Sequence, residues 1–129
     1  MSDSLLQGFH HVMVKVRDFD RSVSFYQALG AQMTHSWGSP EKRCALLDIG
    51  GASMELISGG TAETLPPGAL NHFAIRTTDT AKCVERAVQA GATVTREVCE
   101  LALTPSLRVR LAFVAGPDGE SIEFFQVLP

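Results

Sequence analysis

Residues 9–30, FHHVMVKVRDFDRSVSFYQALG, read as a strand running into a helix. The segment 9–16 is rich in β-forming side chains. Asp18 and Asp20 then offer oxygens to cap a helix, and Val23, Phe25, Tyr26 and Leu29 recur at helical spacing until Gly30 stops it. Outward from this unit, strands are expected over 31–37, 43–49 and 53–58, with Pro40 and Gly50-Gly51 in the turns. SGGTAETLPPG (58–68) has the composition of a connector. After it the pattern restarts: ALNHFAIR (69–76) is a strand and TDTAKCVERAVQAG (78–91) a helix. Strands follow at 92–98, 107–115 and 121–127, the last after a tight turn at Gly116-Pro117-Asp118-Gly119. The order β-α-β-β-β occurs twice. We therefore expect an α+β fold, one domain over 1–129, made of modules 8–58 and 69–128 joined by a linker at 59–68.

Composition narrows the function classes. The chain has 129 residues, of which 45% are hydrophobic and 19% charged, enough apolar material for a folded core. Its net charge of −3, without any basic run, excludes an electrostatic attraction to nucleic acid. No apolar run approaches the roughly 18 residues that a membrane span needs, and MSDSLLQG lacks the basic-then-apolar order of a secretory signal. Cys44, Cys83 and Cys99 are odd in number and share no CxxC spacing, so a reducing, cytoplasmic setting is expected.

Each repeat carries a His in its first strand and a Glu in its last: His11 with Glu55, and His72 with Glu123. Alternate side chains of a strand face opposite sides. Val12, Val14 and Val16 suit packing beneath a helix, which leaves His11, Met13 and Lys15 on the other face. Phe73 and Ile75 leave His72, Ala74 and Arg76; Met54 and Leu56 leave Glu55; Ile122 and Phe124 leave Glu123. All four polar residues thus lie opposite the helix-packing faces, and curled sheets gather those faces into one cup. Two imidazoles and two carboxylates suit a borderline divalent ion, with coordination positions left for two substrate oxygens. On the same parity His10 faces the other side, as a packing or surface residue.

The motifs carry a resemblance. HHVMVKVRDFDRSVSFYQALG, NHFAIRT and AFVAGPDGESIEFFQ resemble the opening, the second-module start and the closing segment of vicinal oxygen chelate proteins, the glyoxalase, bleomycin-resistance and dioxygenase superfamily. The match covers essentially the whole chain. It implies a glyoxalase-like fold whose curled mixed sheets form a metal-binding cup. It also implies that His11, Glu55, His72 and Glu123 are the metal ligands. A full His/Glu/His/Glu set is most similar to bacterial glyoxalase I. That resemblance implies a homodimer, with each site built from two subunits. Two positions depart from it: Lys15 stands where glyoxalase I has Arg, and Gly59 where it has Asn, both positions that help hold glutathione.

The function expected from this likeness is a divalent-metal-dependent lyase or isomerase. The ion chelates vicinal substrate oxygens and stabilises an enediolate, while Glu123 or Glu55 moves the proton. Ni²⁺, Co²⁺ or Zn²⁺ is favoured, with Fe²⁺ and Mn²⁺ also compatible with the donors. Lys15 and Arg76, each four residues after a His, are the candidate holders of a substrate anion. The substrate expected is a small molecule such as a 2-oxoaldehyde–thiol adduct. The alternatives within the superfamily are an acyl-thioester epimerase, an Fe²⁺ dioxygenase using His11, His72 and Glu123, and a non-catalytic drug-binding protein. Trp37 and Phe125 suit stacking of a flat ligand or aromatic core packing. Arg108 and Arg110 share a face with Ala112 and Val114, and the sequence leaves open whether that face lines the cup.

Overall fold

The computed structural model describes residue 5, residues 8–61 and residues 68–129. Most of the predicted linker therefore lies outside the described residues. The elements are β1 (His11–Val16), α1 (Phe19–Ala28), β2 (Gln32–Ser39), β3 (Lys42–Asp48) and β4 (Ser53–Ser58), then β5 (Phe73–Arg76), α2 (Thr80–Gln89), β6 (Thr93–Thr104), β7 (Leu107–Ala115) and β8 (Ser121–Val127). Each half forms one four-stranded mixed sheet, in the orders β1-β4-β3-β2 and β5-β8-β7-β6. The outer pairs β1/β4 and β5/β8 are parallel, and the remaining pairs are antiparallel. This is the α+β, two-sheet architecture expected from the repeat.

Local chemistry explains the helices. Asp18 accepts a hydrogen bond from the Arg21 amide at 3.1 Å, and Asp79 accepts from the Lys82 amide at 3.1 Å. Each carboxylate satisfies an amide that the first helical turn leaves without a partner. Gly30 and Gly91 follow with φ of +109° and +107°, the left-handed region that closes a helix with least strain on glycine.

Two strands differ from the sequence reading. β6 continues to Thr104 rather than ending near 98, because Cys99–Ala102 and Thr104 pair with β7 around the turn at Pro105-Ser106. Three register shifts along that pair obscure the alternation. β5 is shorter than predicted and begins at Phe73. Asn71 and His72 lie just ahead of it and outside its pleat.

One apolar cluster spans both halves. Val16, Phe25, Leu47, Met54 and Leu56 of the first pack with Ala87, Val114, Ile122 and Phe124 of the second. The helix-bearing faces of the sheets therefore turn toward a shared interior, where α1 touches α2. The opposite faces turn outward.

A polar network ties the start of α1 to the turn between β7 and β8. The Arg17 amide donates to Asp118 Oδ1 at 2.9 Å, its Nε at 3.2 Å, and its Nη2 to the Pro117 carbonyl at 2.8 Å. Arg21 Nη2 reaches the same carbonyl at 3.2 Å, and Ser22 Oγ donates to Asp118 Oδ2 at 3.3 Å. Deeper in, Tyr26 donates to Glu120 Oε2 at 2.6 Å, while the Asp118 amide donates to Glu120 Oε1 at 2.8 Å. The predicted tight turn is closed by the Gly119 amide on the Gly116 carbonyl at 3.0 Å.

Candidate functional site

The two His–Glu pairs occupy the same register in the two sheets. Met13 sits opposite Glu55 across the parallel pair β1/β4, and His11 is two residues before Met13. Ala74 sits opposite Glu123 across β5/β8, and His72 is two residues before Ala74. For His11 a two-residue step within β1 keeps the side chain on the face of Met13, and His72, just ahead of β5, reaches the matching place, so each imidazole leans over the carboxylate of the neighbouring strand. His11 Nε2 lies 3.3 Å from Glu55 Oε1, and His72 Nε2 lies 3.0 Å from Glu123 Oε1. The repeat legible in the sequence is a geometric one.

Surroundings differ between the pairs. Glu123 is buried, whereas Glu55 is half-buried. The His72 ring meets Phe113 edge-on, with centroids 5.0 Å apart. Register places Phe113 opposite Glu123, so the second pair has an apolar floor. On the first sheet, register aligns Glu55 with Leu46 and His35, and Ile57 with Cys44 and Trp37. Trp37 is exposed there.

Donor chemistry fits a cation. His72 Nδ1 lies 2.8 Å from Asn71 Oδ1, an amide oxygen that only accepts, so Nδ1 carries the proton. In the neutral ring Nε2 then directs a lone pair at a carboxylate oxygen. Two acceptors at that separation call for a proton or a metal ion between them.

The four residues do not meet as one group within the chain. Among the described residues, no three His, Cys, Asp or Glu side chains gather closely enough to hold an ion. The structure brings His11 to Glu55 and His72 to Glu123, as two half-sets on two outward-facing sheets. Both histidines line a cleft of about 750 Å³ between the edges of β1 and β5, with Lys15, Phe9 and Leu70 at its rim. Phe9 and Leu70 are 87% and 94% exposed, a wide apolar margin for a single chain to leave in water.

Lys15 and Arg76 part company. Lys15 lines this cleft, while Arg76 lines two other hollows, one beside Tyr26 and Cys83 and one beside Gly50 and Thr78. Arg108 and Arg110 alternate with Val109 and Leu111 and bond to Glu100 instead of entering the site.

The sequence reading made His10 a packing or surface residue on the other face. It is exposed, but it stands beside His11: its Nδ1 lies 2.9 Å from His11 Nδ1, and the two rings meet edge-on at 5.2 Å. Strand parity fails here because His10 precedes β1 and is not held in its pleat. Asn71 stands in the same place before His72. The available signal was positional, a polar residue directly ahead of the His in both repeats.

Comparison with known proteins decides the family. The profile of the Glyoxalase/Bleomycin resistance protein/Dioxygenase superfamily matches residues 8–124. The chain belongs to this superfamily. It is 34% identical over 122 residues to the uncharacterized protein YwbC of Bacillus subtilis, covering 90% of this chain and 94% of that protein. It is 32% identical over 124 residues to the lactoylglutathione lyase of Salmonella typhimurium, covering 90% of each. The solved structure of the trypanothione-dependent glyoxalase I of Leishmania major matches with a TM-score of 0.72 and 26% identity, over 94% of this chain and 87% of that one. Within the superfamily, the chain is thus similar to glyoxalase-type enzymes.

Proposed function

We propose that this protein is a divalent-metal-dependent lyase of the glyoxalase I type, acting on a thiol adduct of a 2-oxoaldehyde. The observation that carries the reading is the pair of His–Glu sets in identical register, 3.3 Å and 3.0 Å across. Likeness to lactoylglutathione lyases supports it. His11, Glu55, His72 and Glu123 would together hold the ion. Because one chain presents them as two half-sets, each complete site takes one half from each subunit of a homodimer.

A divalent ion held by these residues would supply Lewis acidity to negative charge developing on the substrate oxygens. The chain's own groups do the rest. A carboxylate of the set, Glu123 or Glu55, accepts the proton from the carbon and returns it to the neighbouring carbon. Phe113 and the buried surroundings of Glu123 keep water from the proton while it is held. Lys15, at the cleft beside His11, steadies an anionic end of the substrate. Ni²⁺, Co²⁺ and Zn²⁺ suit the donors best, with Fe²⁺ and Mn²⁺ next.

The test is metal stoichiometry on chelator-stripped protein reloaded with each of these ions, followed by turnover of methylglyoxal hemithioacetals. Glutathione is compared with shorter thiols, because Lys15 and Gly59 replace side chains that hold glutathione in glyoxalase I. About one ion per chain is expected, lost in Glu55→Ala and in His72→Ala, with turnover restored by Ni²⁺ or Co²⁺. Failure of every ion to bind would overturn the reading.

A further inference from the structure

In each module the residue just before the His contacts its Nδ1. Asn71 Oδ1 is 2.8 Å from His72 Nδ1, and His10 Nδ1 is 2.9 Å from His11 Nδ1. We propose that His10 and Asn71 are positioning residues, each accepting the Nδ1–H of the histidine that follows and thereby dedicating its Nε2 to the space beside the carboxylate. The inference rests on the metal-site reading above and extends it to residues that touch neither ion nor substrate.

A protein acceptor at both places fixes the ring. A neutral imidazole that offers Nε2 must carry its proton on Nδ1; at these exposed positions water satisfies that proton in any ring orientation, whereas a neighbouring side chain satisfies it in one. The Asn71 amide oxygen is such a partner. His10 serves equally when its own proton is on Nε2, leaving its Nδ1 lone pair free to accept. Without the acceptor the ring is free to turn and to shift its proton to Nε2, where it blocks the lone pair.

The backbone makes the contact feasible. Neighbouring side chains within a strand point apart, but His10 precedes β1 and Asn71 precedes β5. The His10 carbonyl accepts the Ser53 amide at 2.9 Å, which pins the chain to the start of β4 just before the His. Two different side chains thus fill one role at equivalent points of the repeat. That is what a requirement for an acceptor, rather than for a particular residue, produces.

The first measurement is the imidazole ¹⁵N spectrum of the metal-free full-length protein. Nδ1 of His11 and of His72 is expected to be protonated, whether or not Nε2 shares a second proton with its carboxylate, and Asn71→Ala is expected to release His72 from that state while leaving His11 in it. The second is titration with Co²⁺ alone. His10→Ala and Asn71→Ala should each weaken binding about 10- to 100-fold, the usual effect of removing the group that orients a ligand histidine. His10→Asn, which installs the acceptor of the other module, should restore it, as should Asn71→Asp. Unchanged Co²⁺ affinity in both alanine variants would overturn the proposal. So would a loss that His10→Asn fails to rescue, or an unprotonated Nδ1 on His11 and His72 in the wild-type protein. If the wild type binds no ion, the metal reading falls, and the tautomer spectra still decide the positioning role.

Discussion

Glu120 is the carboxylate whose surroundings most oppose its charge. Burial pushes its pKa above the usual carboxylate value, only partly offset by the Tyr26 hydroxyl and the Asp118 amide. Burial also pushes the Tyr26 phenol well above its usual value, with the Glu120 charge adding to the shift. A carboxyl with a raised folded-state pKa contributes stability below its ordinary value of 4.5 and loses it as pH rises through the folded value. Denaturation followed against pH should therefore show the wild type losing stability relative to Glu120→Gln as pH rises above 4.5, the carboxyl's ordinary value. A constant difference between the two would contradict this. Tyr26→Phe removes the hydroxyl from a partly buried acceptor and should cost about 1–3 kcal/mol, read from urea midpoints. At this scale the four His and Glu positions were legible, because each stands as a polar residue opposite an apolar face. His10 was not, since alternation says nothing about a residue ahead of its strand.

At the scale of elements, the helices were the most readable. Their caps are a single residue type with a single task, and Asp18 and Asp79 both perform it. Asp79→Ala should cost about 1 kcal/mol and lower the thermal midpoint, without altering the strands. Strand ends were harder. β6 is exposed along most of its length, so little burial contrast marks where it stops. Its extent is set by pairing with β7, a partner that a local reading does not see. The core-facing strands behave differently. Phe124 on β8 is 1% exposed within the shared cluster, and Phe124→Ala should cost about 3–5 kcal/mol in the same urea experiment. Milder loss would mean that the cluster closes around the gap.

For the whole molecule, the outward-facing half-sets decide what a dimer can do. If each complete site combines His11 and Glu55 of one subunit with His72 and Glu123 of the other, two damaged chains can repair one another. Glu55→Ala and Glu123→Ala homodimers should each lack tight metal binding. Subunit exchange between them should then create mixed dimers with one intact and one doubly damaged site. Metal bound per mixed dimer is expected to return to about half the wild-type level. No recovery, with mixed dimers shown to form, would place each site within one chain. The sequence shows a repeat and two matched His–Glu pairs, but not whether the pairs meet within one chain or between two. That depends on how the modules pack, which the shared interior of apolar side chains determines.

The parallel pairing of β1 with β4, and of β5 with β8, also bears on how the chain is made. The strand that seals each sheet is the last of its module to leave the ribosome, so β1 waits unpaired until the rest of its half has been synthesised. Contacts so distant in the chain close slowly. Even then the first half exposes the apolar side chains that will later meet Val114, Ile122 and Phe124. Nascent chains arrested before β8 should accordingly be protease-sensitive and dependent on chaperones, and resistance should appear abruptly once β8 has emerged.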